Sequence, residues 1–461
     1  TTFPVTSSKQ RYSENRSLYP LPNKEIPPYL PSPKSWKYTG PALELSPSTI
    51  QLDAPKEFEK TRDYLEKTLQ KGYKPKDEES EPPLRIRFEQ LKSLPKEGYT
   101  IQIEGAQVLI QASTSIGALY GANSFLAMLN PIIWKGGVTS LTLPQVTIQD
   151  EPAFGYRGLF LDVARNFQSK EQVLKLLDLM SFYKLNVFHF NLANDEGWRI
   201  EIPGLPELTQ FGGRRGFSTD ESEFLWPYYA SGANTDASPS GSGFYTVADF
   251  QEILAYAKER QIEVIPELGV PAHSRAAILA MEKRYQTFKD AGKLQEALDY
   301  RLADPEDKSI YLSAQNFKGN TVCACQESTY NFYEKLVVEI GKMYVSVGLE
   351  TKNWHSGGDE VPKGVWTASP ICAEFLSKNP AIQQADLNDY FRDRTAQILK
   401  KHGWKMGGWE EIGQTHTATS VSPNPKFANQ DWKLYAWNAV AAVSYTHLRA
   451  HETGRNLVCR L

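Results

Sequence analysis

Two adjacent carboxylates, Asp359 and Glu360, close the run Trp354-His355-Ser356-Gly357-Gly358-Asp359-Glu360-Val361. A short apolar stretch followed by Gly-Gly reads as a strand that ends and presents both acids at the mouth of a barrel. There they can meet a substrate without being buried unpaired. Neighbouring acids at a strand end fit general acid chemistry, one carboxylate donating a proton while the other orients or tunes. Taken alone, the same tetrapeptide also fits a solvated turn. The rest of the chain has to decide between the two.

Other chemistry-bearing residues fall at matching places. Arg157, Asp162, Asp195, Glu267, His273, Trp409, Glu410 and Trp437 lie in or just after predicted strands. The spacing predicts strands over 156–162, 186–191, 262–267, the stretch before Asp359, 405–409 and 433–437. Helices are predicted between them, one launched by the capping box Ser169-Lys170-Glu171-Gln172 and one by Thr246-Val247-Ala248-Asp249. Repeated strand–helix units give a parallel sheet, and their number favours a (β/α)8 TIM barrel over residues 153–443. Polar groups at one end of every strand converge in such a fold, which favours an active site over a turn. Ahead of the barrel, 42–152 reads as a small α+β domain. It has a helix over 58–69, strands over 84–89, 99–103 and 107–112, and a helix over 115–129. Residues 1–41, dense in proline, read as a linker or the remnant of a preceding domain.

Composition excludes several classes. Among 461 residues, 51 are Lys or Arg and 54 Asp or Glu, so no polyanionic partner such as nucleic acid is indicated. No apolar run is long enough to span a bilayer. The cysteines at 323, 325, 372 and 459 have no metal-ligand spacing and read as free structural thiols. His273, His355 and the acids also lack ligand spacing, so no metal or other cofactor is expected. The 10 Trp and 23 Tyr suit a sugar cleft or a large core equally well.

The chain resembles family 20 glycoside hydrolases, the β-N-acetylhexosaminidases, from about residue 42 to 443. Carrying segments are Tyr156-Arg157-Gly158-Leu159, Lys184-Leu185-Asn186-Val187-Phe188-His189-Phe190, Asp195-Glu196-Gly197-Trp198-Arg199, Val264-Ile265-Pro266-Glu267 with Pro271-Ala272-His273, and His355 to Glu360. The resemblance implies substrate-assisted hydrolysis of terminal β-linked N-acetylhexosamine, GlcNAc or GalNAc, with retention through an oxazolinium intermediate. It implies Glu360 as the general acid and later base, and Asp359 as the acceptor of the acetamido N–H. It further implies Arg157 as a clamp on sugar hydroxyls, Trp409 and Trp437 as walls, and His273 with Asp195 as the supporting network. Each has a plainer alternative: His273 as a packed loop histidine, the tryptophans as core. The partners implied are N-acetylhexosamine-terminated glycans, and a periplasmic or extracellular place is implied although no signal peptide is visible.

Two departures stand out. Asn194 replaces the first acid of a pair that buttresses the histidine, leaving open whether Asp195 takes over, and Gly269 replaces a common acid. Residues 444–461 read as translated adaptor sequence, so the barrel is expected to lack its last two strands and the chain as written to be inactive. Alternatives to the leading function are a wider-subsite relative such as a lacto-N-biosidase, decided by the loop over 203–244, or a catalytically dead glycan-binding protein.

Overall fold

Strand-forming and helix-forming segments alternate through two units, Thr1–Ala153 with Phe182–Lys184, and Phe154–Ser181 with Leu185–Leu461. A computed structural model describes residues 7–16, 22–75, 82–228, 231–232, 234, 241–416 and 421–437.

In the first unit, period-two alternation builds a six-stranded sheet. Its strands are β1 (Ser35–Tyr38), β2 (Ile50–Asp53), β3 (Leu84–Gln90), β4 (Tyr99–Glu104), β5 (Gln107–Ala112) and β6 (Val146–Asp150), in the order β1-β6-β4-β5-β3-β2. One face of β4 buries Tyr99, Ile101 and Ile103, as alternation requires. The helices Glu59–Gly72 and Ser115–Met128 belong to the same unit, the second capped by the Thr114 side chain accepting from Gly117 N–H. The unit reaches into the proline-rich segment. Trp36 in β1 pairs with Ile148, and Tyr29 is buried with its hydroxyl 2.7 Å from that of Tyr99.

The second unit carries six parallel strands: β7 (Gly158–Asp162), β8 (Val187–Asn194), β9 (Glu263–Leu268), β10 (Asn353–His355), β11 (Lys405–Trp409) and β12 (Lys433–Tyr435). They pair in chain order, the arrangement of a (β/α) barrel, with six of its strands among the described residues. All eight residues of β8 are buried, as a parallel strand covered on both faces demands. Helices Lys170–Phe182, Val247–Glu259, Arg275–Asp290, Glu327–Ser346 and Leu387–Lys401 follow the strands. Both anticipated capping boxes form: Ser169 exchanges bonds with Gln172, and Thr246 with Asp249. Tyr156, just before β7, meets Tyr435 of β12 with ring centroids 6.2 Å apart, so the arc curls toward closure. No helix among the described residues is long and apolar enough to cross a membrane. The adaptor-like run 444–461 lies outside the described residues.

One cysteine expectation is corrected. Cys325 and Cys372, 47 residues apart, form a disulfide, and Cys323 is a free, buried thiol whose sulfur lies 3.9 Å from that of Cys372. Burial pushes the Cys323 thiol up to about 12, so it is a poor nucleophile toward its neighbour. Cys372→Ser removes the cross-link with either partner. Its expected cost is about 2–4 kcal/mol, from the chain entropy regained by the unfolded state. A urea titration of the oxidised protein against Cys372→Ser measures it, and equal midpoints would contradict the expectation.

Candidate functional site

The C-terminal ends of the strands surround a cleft of about 400 Å³. The Gly357-Gly358 turn after β10 aims the paired acids into it. Both glycines have positive φ, and a Cβ on Gly358 would stand 2.1 Å from Ile412 Cγ2, so only glycine fits there. Glu360 itself has φ +50°, and His273 has φ +56°. A strained backbone at both of these side chains is the kind of feature that marks functional sites.

His273 links the acids. Its Nε2 lies 3.5 Å from Asp359 Oδ2 and 3.4 Å from Glu360 Oε2, while Nδ1 lies 3.1 Å from Asp195 Oδ2. Asp195 is fixed in turn by the backbone N–H of Arg275 (3.0 Å) and by Asn320 Nδ2 (3.1 Å). So Asp195 holds the histidine, and Asn194 lines the cleft beside it. Burial would lower the His273 pKa, but hydrogen bonds to Asp195, Asp359 and Glu360 push it up to about 12. His273 in turn holds Glu360 down at about 2, against the effect of burial, with Gln315 Nε2 donating to Glu360 Oε2 at 2.8 Å. The free cleft therefore holds an imidazolium beside an ionised Glu360.

A second acid differs. Glu411, in the turn after β11, also lines the cleft. Burial, then the charges of Asp359, Glu410 and Glu360, raise its carboxyl to about 7. The tryptophans sit where sequence placed them: Trp409 and Trp437 both line the cleft, edge to face with centroids 5.3 Å apart. The Glu410 carboxylate accepts the Trp437 backbone N–H.

Arg157 stands at the start of a barrel strand and not after its end. It precedes β7, at the opposite end of the strand from the cleft, and its Nη1 donates to Phe154 O at 2.6 Å. The guanidinium that lines the cleft belongs to Arg165, three residues beyond the end of β7. It is paired with Asp162 (2.8 Å) and Glu196 (2.9 Å), whose charges keep it protonated against burial. The signal was available, because a residue serving the mouth of a parallel barrel belongs after a strand, and Asp162-Val163-Ala164-Arg165 meets that rule. Gln315 and Asn320 come from a long loop without motif and gave none. Gly269 lines the cleft without a side chain. The loop over 203–244 is only partly within the described residues.

Among the described residues ligand-type atoms gather within 4.8 Å at Cys323/Cys325/Cys372, where two sulfurs form the disulfide, and at two acid–histidine sets, His189/Glu267/His355 and His273/Asp359/Glu360. In the first acid–histidine set His189 Nε2 lies 2.6 Å from Glu267 Oε2.

A parallel barrel with paired acids, a bridging histidine and an aromatic wall at its mouth defines a sugar-hydrolase type of site. Residues 154–459 match "Glycosyl hydrolase family 20, catalytic domain", and residues 27–151 match its "domain 2". The chain belongs to glycosyl hydrolase family 20. It is 39% identical to a β-hexosaminidase of Vibrio vulnificus over 363 residues, 78% of this chain and 41% of that protein. It is 44% identical to N,N'-diacetylchitobiase of Vibrio harveyi over 380 residues, 75% of this chain and 42% of that one. It therefore spans less than half the length of these relatives. Among solved structures, an exo β-N-acetylglucosaminidase of Vibrio harveyi in complex with N-acetylglucosamine superposes with TM-score 0.74 at 28% identity, over 93% of this chain and 60% of that one.

Proposed function

We propose that this chain is the catalytic portion of an exo-acting, retaining β-N-acetylhexosaminidase that removes terminal GlcNAc or GalNAc with help from the substrate. The observation that carries the reading is the convergence of Asp359 and Glu360 on the single Nε2 of His273. Two acids sharing one histidine serve the same side of a sugar, so the nucleophile comes from elsewhere, and the substrate's 2-acetamido oxygen can supply it.

The steps balance as follows. The acetamido oxygen attacks C1, the C1–O bond to the leaving sugar breaks, and protonated Glu360 gives its proton to the departing oxygen. Asp359 accepts the acetamido N–H and offsets the charge of the oxazolinium. Water then attacks C1, its proton passes to Glu360, the oxazolinium opens, and the β configuration is restored. His273, held by Asp195, stands where it can pass a proton to Glu360 when substrate arrives. Trp409 and Trp437 offer flat walls to the apolar face of the ring. Arg165, which lines the cleft, and Arg157, at the start of β7, are the guanidinium candidates for the sugar hydroxyls.

Fluorinating the acetamido methyl group tests the internal nucleophile. Each added fluorine weakens the carbonyl oxygen without changing ring hydroxyls, so kcat/KM for aryl N-acetyl-β-glucosaminides should fall progressively through the series. An aryl β-glucoside, lacking the acetamido group, should not turn over. A rate insensitive to fluorination would rule the mechanism out, since an enzyme carboxylate would then be attacking.

A further inference from the structure

A buried carboxylate stands directly beneath the cleft wall. Glu267, in β9, is 2% exposed and yet lines the cleft. Its Oε1 accepts the indole N–H of Trp409 at 3.1 Å, and its Oε2 lies 2.6 Å from His189 Nε2. His355 Nδ1 lies 3.4 Å from Oε1 and also accepts the backbone N–H of Gly357, in the turn that carries Asp359 and Glu360. The rings close around the same point: Trp409 has its centroid 4.9 Å from that of His355 and 5.7 Å from that of His189.

Burying a carboxylate costs several kcal/mol even after relaxation. An apolar side chain of similar size would fill the floor of the barrel without that cost, so the charge has to return something. Burial would raise the Glu267 carboxyl, but the two histidines hold it below the ordinary range, so it is a full carboxylate. Burial and His355 keep His189 down at about 4, hence neutral. Ligands of one zinc ion, each about 2.0 Å from it, stand roughly 3.3 Å apart. The His189–Glu267 approach, at 2.6 Å, is closer than two ligands of one ion would stand. What the carboxylate returns is direction: the one group it grips that faces the cleft is the Trp409 indole.

We propose that Glu267 is a positioning residue that fixes the Trp409 indole as the rigid wall of the sugar site, with His189 and His355 packed against the carboxylate. The consequence for sugar binding rests on the N-acetylhexosaminidase reading; the grip on the indole does not.

The test uses the full chain with 15N-labelled tryptophan. The indole N–H resonance lost in Trp409→Phe identifies residue 409. That resonance should be downfield and slow to exchange in the parent protein, and should move upfield and exchange faster in Glu267→Gln. On an aryl N-acetyl-β-glucosaminide, Trp409→Phe and Glu267→Gln should each raise KM about tenfold, the scale of one charge-assisted hydrogen bond, with kcat changed less than about threefold. The double variant should be no worse than the poorer single one. An unmoved resonance in Glu267→Gln, an ordinary fast-exchanging indole in the parent, or effects that multiply would overturn the proposal. If Glu267→Gln fails to fold, the parent resonance and its exchange rate still decide it. Turnover bears only on the N-acetylhexosaminidase reading; its absence, which the sequence anticipates for the chain as written, would leave the indole result standing.

Discussion

Glu360→Gln is expected to lower kcat/KM for a poorly activated glycoside by about 10³-fold, within the usual range for loss of a general acid. The size should depend on the leaving group. A dinitrophenolate departs without a proton, so the glycosylation step of Glu360→Gln should be nearly normal on that substrate. With an alkyl or sugar leaving group the same variant should be almost inert. Asp359→Asn should behave differently, losing about 10²-fold or more on every substrate, because it acts on the acetamido group and the charge at C1. Steady-state rates across a leaving-group series measure both. A Glu360→Gln defect that is uniform across the series would contradict the acid role, and an Asp359→Asn defect confined to poor leaving groups would contradict the orienting role.

His273→Phe is expected to destabilise the barrel by about 3–5 kcal/mol, the usual cost of removing one member of a buried ion pair. It strands Asp195, whose side chain is fully buried, without its cation. The effect has a pH signature. The folded His273 pKa, about 12, lies above its ordinary 6.5, so the stabilisation is complete below about 6.5 and drains away as pH climbs toward 12. The folded Glu360 pKa, about 2, lies below its ordinary 4.5, so its share is present above 4.5 and is lost as pH falls toward 2. The gap in urea midpoint between parent and variant should therefore be widest between pH 4.5 and 6.5 and narrow on both sides. Removing the imidazolium should also let the Glu360 carboxyl rise toward its ordinary value, moving the acid limb of the rate profile upward. A gap that grows steadily into alkali would refute the imidazolium bridge.

Sequence exposed the parts of this fold that are periodic. All six barrel strands were legible because strand runs and capped helices alternate, and Asp195, His273, Asp359, Glu360, Trp409 and Trp437 fall just where such strands end. What periodicity could not show was which end of a strand a polar residue serves. Arg157 and Arg165 flank the same strand, and only the direction of β7 shows that Arg165 follows its cleft end. Nor could it show pairings across long loops. Gln315 reaches Glu360 and Asn320 reaches Asp195 from a segment without repeat or motif, and Cys325 meets Cys372 across 47 residues. Such contacts depend on chain closure in three dimensions, which leaves no local trace. The proline-rich beginning also carries a strand: proline is tolerated beside an edge strand, and β1 is one.

Among the described residues the lining of the cleft carries Asp162, Glu267, Asp359, Glu360 and Glu411 against Arg165 and His273. A pocket so weighted projects a negative potential through its mouth. Glycan ends bearing sulfate, phosphate or a carboxylate would meet repulsion before meeting the catalytic acid. Neutral amino sugars would enter unopposed. On the proposed reading, this polarity works as a filter on what kinds of glycan terminus can be trimmed, so anionic caps would shield the chains beneath them until another activity removed them.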